Sequence, residues 1–184
     1  MHDPALDAHE HTEHAQHAAH DPIIARVSIT VAVLAVLAAV AGSLETVEGG
    51  RALTASSEAV LRQDQATDAW NEFQSDGLKK FMYAIAADSM SAHADDYKAQ
   101  AKRRAANQDL DRKKAVADEA ERDRLVVASQ AYEGRHHWLT GAATLFEIGI
   151  AMSTVAIITR RSWLWYAATV FGIGGIALLA ATYT

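Results

Sequence analysis

Three runs almost free of charge, Ile23 to Leu44, Trp138 to Thr159 and Trp163 to Tyr183, decide most of what this chain can fold into. Each runs to roughly 20 residues, which at ~1.5 Å rise per residue lets a helix cross a ~30 Å hydrocarbon core. Between the first and second lies a polar block, Glu45 to His137, that holds nearly all the lysine and arginine and most of the acidic residues. Such segregation points to a membrane protein with an extramembrane domain. The mean hydropathy of -0.05 only averages the two parts.

The prolines are Pro4 and Pro22, so nothing from Ile23 to Thr184 interrupts a helix by ring geometry. Abundant alanine, few glycines and scarcely any two-residue alternation make the chain all-α. The expected fold is an integral membrane protein with three transmembrane helices and a long, coiled-coil-like antiparallel helical hairpin inserted between the first and second. Residues 1–22 form a His-rich polar tail expected to be disordered, 23–44 the first transmembrane helix and 45–137 the hairpin, with its tip near 88–92. Transmembrane helices at 138–159 and 163–184 follow, joined by a short basic loop, 160–162. Asp21 is placed to cap the first helix, with Pro22 at its first turn. Val27 to Ala41 also resembles the apolar core of a signal peptide, but the segment ahead of it is acidic rather than basic.

Within the polar block, Gly49-Gly50 marks an expected helix break. From Arg51 an amphipathic pattern places Leu53, Val60, Trp70, Phe73, Gly77, Phe81 and Ile85 along one face. Leu78 to Ala87 is apolar on more than one face, a surplus that asks for a contact beyond one partner helix. Asp88-Ser89-Met90-Ser91 supplies the turn-formers for the reversal. The returning arm is heavily charged, with a thin seam of Tyr97, Ala101, Val116, Ala120, Val127 and Ala131. The outgoing arm from Trp70 to Ile85 is therefore expected to be the more buried and to face other copies of the chain.

Trp138, Trp163, Trp165, Tyr166 and Tyr183 stand at the ends of the later spans, as an aromatic belt requires. Arg160 and Arg161 in the short loop, with Arg26, place that loop and the N-terminus in the cytoplasm of a bacterial inner membrane and the hairpin outside. Small residues recur at helical spacing in all three spans: Ala35, Ala39 and Gly42; Gly141 and Gly149; Gly172 and Gly175. Such faces let membrane helices approach closely.

The His-rich acidic start, the run Ser57-Glu58-Ala59-Val60-Leu61-Arg62-Gln63 with Gln65-Ala66-Thr67-Asp68-Ala69-Trp70, and the ending Thr159-Arg160-Arg161-Ser162-Trp163-Leu164-Trp165-Tyr166 resemble the bacterial membrane proteins grouped as the domain of unknown function 4337 family. The resemblance runs from about Ile23 onward and implies three membrane helices around a helical middle region. It implies no activity, ligand or functional residue. Asp96 to Asp123 departs furthest from the family pattern.

No catalytic constellation can be assembled. The absence of cysteine excludes disulfides, thiolate zinc sites and Cys nucleophiles, and a net charge of -6 argues against a nucleic-acid partner. No nucleophile elbow or phosphate loop occurs, so no enzyme is expected. Glu147 stands out as the acid within a span, where an ionisable group faces a bundle interior, a water-filled path or a partner. Thr30 and Thr169 are its expected structural partners. In the tail, His11, His14, His17 and His20 recur every three residues with His9 nearby, a spacing that permits weak divalent-metal binding without implying a cofactor. His136-His137 reads as an interfacial anchor. The functional expectation is a scaffold forming a homo-oligomer in the lipid bilayer. The alternatives are an ion-conducting oligomer lined by Glu147, and a metal or pH sensor built on the His tail.

Overall fold

A computed structural model describes residues 22–89 and 91–183. The His cluster and the Asp21 cap lie outside the described residues. Among those described there is no strand: the chain forms α1 (Pro22–Ser89), one 3-10 turn (Ser91–His93), α2 (Ala94–Thr159) and α3 (Ser162–Ala181). All three α-helices contain a stretch long and apolar enough to cross a membrane.

The contacts divide the chain into two compact units. The first comprises residues up to Gly49 together with Glu133–Thr184, so it holds the beginning of α1, the end of α2 and all of α3. Its core has two layers. Leu34, Ala41, Ala142 and Phe146 form one, against Leu37, Ala143, Ile150 and Leu178. Val27, Ala156 and Leu164 form the other, against Val31, Met152 and Trp165. The glycines of α2 and α3 make this packing possible. A β-carbon on Gly172 would stand 2.7 Å from Leu34 Cδ2, and one on Gly149 3.2 Å from the Ala168 carbonyl. Gly141 faces Leu178 and Gly175 faces the Phe146 ring. Side chains at these points would push the helices apart.

The link between α2 and α3 is tight. Arg160 sits in the left-handed region at φ 54°, ending α2 as a glycine commonly does, and Arg161 is extended before α3 begins. Threonines along the helices, Thr30, Thr144, Thr154 and Thr169 among them, donate to the carbonyl four residues back, which satisfies their hydroxyls inside the helix itself.

The helix break expected at Gly49-Gly50 does not occur, and α1 runs through both residues. Gly49 serves close approach instead: a β-carbon there would lie 3.2 Å from His136 Nδ1.

The second unit, Gly50–Tyr132, pairs the rest of α1 with the first part of α2. Its contacts join residues ever closer in sequence: Ser129 Oγ donates to the Ala52 carbonyl at 3.0 Å, Arg62 meets Asp118 at 3.2 Å, Arg104 meets Asp76 at 3.1 Å, and the Tyr83 and Tyr97 rings stack. The seam differs from the expected one. Ala55, Ala59, Ala66 and Ala69 of α1 and Ala115 of α2 are buried, whereas Leu53, Val60, Phe81, Ile85, Val116 and Val127 are exposed. Small side chains fill the interior where the two helices come close, as at Gly77, where a β-carbon would stand 2.7 Å from Gln108 Nε2. Trp70 and Phe73 sit half-buried in an edge-to-face pair, with Trp70 Nε1 donating to Glu119 Oε1 at 2.9 Å. Buried positions are more frequent on α1 than on α2 in this unit, but they are alanines, Asp76 and Gly77 rather than the expected aromatic residues.

Candidate functional site: an outward carboxyl in an apolar span

Phe146 is fully buried, and one helical step of 100° further round, Glu147 points outward and is exposed. It stands about nine residues, or ~13 Å, from the start of the apolar run at Trp138. Among the described residues it makes no hydrogen bond and no ion pair. Its expected partners are engaged elsewhere: Thr30 Oγ1 donates to the Arg26 carbonyl and accepts from Trp165 Nε1 at 3.0 Å, and Thr169 donates to the Trp165 carbonyl. Thr144 and Thr154, also exposed, share the Glu147 side of α2 at three residues before and seven after.

The small residues of α1 divide by face. Ala41 is buried, Ala38 packs beside it, and Ala35 and Ala39 are exposed, while Gly42 is half-buried with open space where a β-carbon would stand. The Gly141, Gly149, Gly172 and Gly175 positions all meet side chains of the same unit.

A polar cluster that sequence reasoning missed lies at one end of this unit. Arg135 Nε meets the buried Glu48 carboxylate at 3.2 Å. The Thr140 hydroxyl lies 2.7 Å from Glu45 Oε1, and His136 Nδ1 lies 3.2 Å from the Glu45 carbonyl. His137 Nδ1 lies 2.9 Å from the Glu133 carbonyl, and the two imidazole rings pack edge to face with centroids 5.9 Å apart. The signal available was the placement of acids at the end of one apolar run and Arg135-His136 at the start of the next. The cluster ties helix to helix.

In the second unit, a polar groove of about 320 Å³ is lined by Glu72, Asp76, Lys79, Arg104 and Asp111, with the Asp76 carboxylate already shared between Arg104 and Lys79. Phe81 and Ile85 are about two-thirds exposed, as are Leu78 and Met82 between and before them. Asp109 is held below the usual carboxylate range, first by a hydrogen bond from Lys113 and then by the charge of that ammonium and of Arg112. Among the described residues no group of three or more His, Cys, Asp or Glu side chains could hold a metal ion.

The fold thus defines an all-helical protein of two compact units, with three helices long and apolar enough to cross a membrane. Its family model, described as "Domain of unknown function (DUF4337)", matches residues 23–184, and the chain belongs to that family. No curated protein and no solved structure matches the chain.

Proposed function

We propose that the protein is a non-enzymatic scaffold of the bacterial inner membrane, a homo-oligomer assembled through its membrane helices and an antiparallel helical hairpin formed by residues 50–132. The falling sequence separation of the α1–α2 contacts supports the hairpin. The observation that carries self-association is the row Leu78, Phe81, Met82 and Ile85, spaced i, i+3, i+4, i+7 and each 65% or more exposed in a single chain. A row of that spacing is the anchor pattern of a helix that docks into an apolar partner. In an otherwise charged unit, leaving it in water costs roughly 1.5–3 kcal/mol per large side chain. Arg160-Arg161 supports a cytoplasmic loop and a hairpin on the opposite side.

The experiment is mass determination in lipid nanodiscs, by native mass spectrometry or light scattering, of the natural chain beside a Phe81→Asp, Ile85→Asp variant. The natural chain is expected as a discrete oligomer and the variant as smaller species. A monomeric natural chain sinks the reading.

The outward Glu147 supports a second reading, an ion-conducting oligomer with carboxyls around a central path. Cation flux into liposomes that is lost in Glu147→Gln would favour it over the scaffold.

A further inference from the structure

We propose that the Glu147 face of α2 is where two copies of this chain meet inside the membrane, each Glu147 carboxyl protonated and donating a hydrogen bond to a threonine oxygen of the other copy. This rests on the homo-oligomer reading and adds the face and the chemistry.

Depth comes first. Glu147 adjoins Phe146, a core side chain packed at the level of Leu34 in the middle of the first unit. A carboxyl about nine residues into an apolar span and exposed to hydrocarbon is costly, so such groups face a bundle interior, a water-filled path or a partner. Within its own chain it makes no hydrogen bond: the hydroxyls of Thr30 and Thr169 are engaged on other faces, and Thr144, on its own face, donates to the Thr140 carbonyl. A lipid tail cannot accept a hydrogen bond. Another polypeptide surface can cover this group where a lipid tail cannot.

The composition of the face selects the occupant. Thr144, Glu147, Ala151 and Thr154 form one exposed stripe on α2 at spacings of three, four and three. Ala151 adds no bulk, so a neighbouring backbone can come close. Copies inserted with the same orientation meet at equal depth across a symmetry axis, which puts Glu147 of one beside Glu147 and Thr144 of the other. The stripe is therefore complementary to itself.

The hydroxyl geometry leaves acceptors rather than donors on this face. Thr144 Oγ1 donates its proton to the Thr140 carbonyl at 2.8 Å, and Thr154 Oγ1 donates to the Ile150 carbonyl at 3.0 Å. Each oxygen retains acceptor capacity and has no proton to offer. A carboxylate, which only accepts, finds no donor there, and no lysine or arginine occurs between Trp138 and Thr159 to balance it. A carboxylic acid has the O–H that these oxygens can accept.

The test exploits a chain without cysteine. Single-cysteine variants Thr144→Cys and Ala151→Cys, with Ile173→Cys on the exposed face of α3 as control, are oxidised in native membranes with Glu147 intact. Cross-linked dimer is expected several-fold faster at 144 and 151 than at 173. An infrared carboxylic-acid C=O band at neutral pH, absent from Glu147→Gln, is the second readout. Glu147→Gln, which keeps a donor, should remain associated, whereas Glu147→Leu should weaken association about three- to tenfold. An oligomer that cross-links at 173 but not at 144 or 151 overturns the interface while leaving the scaffold standing. A monomer overturns both. A carboxylate band, or cation flux lost in Glu147→Gln, overturns the protonated pair in favour of a wet path.

Discussion

The Phe146 ring lies so close to the Gly175 backbone that a β-carbon on Gly175 would stand 2.6 Å from Cε1 and 2.8 Å from Cδ1. The ring is fully buried and cannot swing into solvent. Contact at this distance makes glycine a packing requirement of α3, independent of backbone dihedrals.

Gly175→Ala should therefore destabilise the first unit by about 1–3 kcal/mol through overpacking. Gly134→Ala, where nothing lies within 4 Å, should stabilise its helix by up to about 1 kcal/mol. Reversible unfolding in mixed micelles, followed by circular dichroism, checks both signs. Equal effects at the two positions would contradict the packing described.

Ser153 is fully buried and its hydroxyl has no hydrogen-bond partner among the described residues. Its small volume fits the α2 interior, and its oxygen contributes nothing. Ser153→Ala should be neutral or stabilising, by up to about 1–3 kcal/mol. Ser153→Val should be destabilising, which the same unfolding assay would reveal.

The fold was legible in the sequence where hydropathy alone decides. The runs beginning at Ile23, Trp138 and Trp163 lie on α1, α2 and α3, and the family resemblance from Ile23 matches the family model over 23–184. The seam of the second unit was not legible. Leu53, Val60, Phe81 and Ile85 have the same period as Ala55, Ala59, Ala66 and Ala69, so periodicity cannot choose between the two stripes. Hydrophobicity favours the leucine stripe, and the closeness of the helices favours the alanine stripe. Closeness wins here, and only the cross-helix contacts reveal it. Glu147 behaved similarly: its depth could be counted from Trp138, but its outward direction depends on Leu34, Phe146 and Gly175 meeting on the opposite side.

Asp76 is a buried carboxylate held by Arg104 at 3.1 Å and Lys79 at 3.6 Å. Removing it leaves the guanidinium, about two-thirds covered, without its anion. Asp76→Ala should cost about 1.5–3 kcal/mol. Arg62→Ala leaves the buried Asp118 carboxylate, only 11% exposed, without its cation and should cost a comparable amount although Arg62 itself is 44% exposed. Thermal denaturation of the two variants side by side makes the comparison.

Asp109 offers a pH test. Its carboxyl is depressed by Lys113 and Arg112, so the folded chain binds that proton less readily than the unfolded chain does. The contribution is present above the ordinary carboxylate range and fades as pH falls through the lowered value. Carbon-13 titration of the Asp109 carboxyl should give a midpoint below that of a free aspartate, returning toward it in Lys113→Ala. A midpoint unmoved by that substitution would show that the ammonium is not the cause.

An alanine seam carries a thermodynamic consequence beyond geometry. Each buried methyl removes little apolar area from water, while the ordering of two long helical segments costs on the order of 1 kcal/mol per residue in backbone entropy. The residues able to redress that balance, Phe81, Met82 and Ile85, are on the outside. In the homo-oligomer proposed above, folding of residues 50–132 would be linked by mass action to how many copies share a patch of membrane. At low abundance the segment should open and exchange its amide hydrogens quickly, and at high abundance it should close. Under that proposal the protein's own surface density would become a variable that sets its structure.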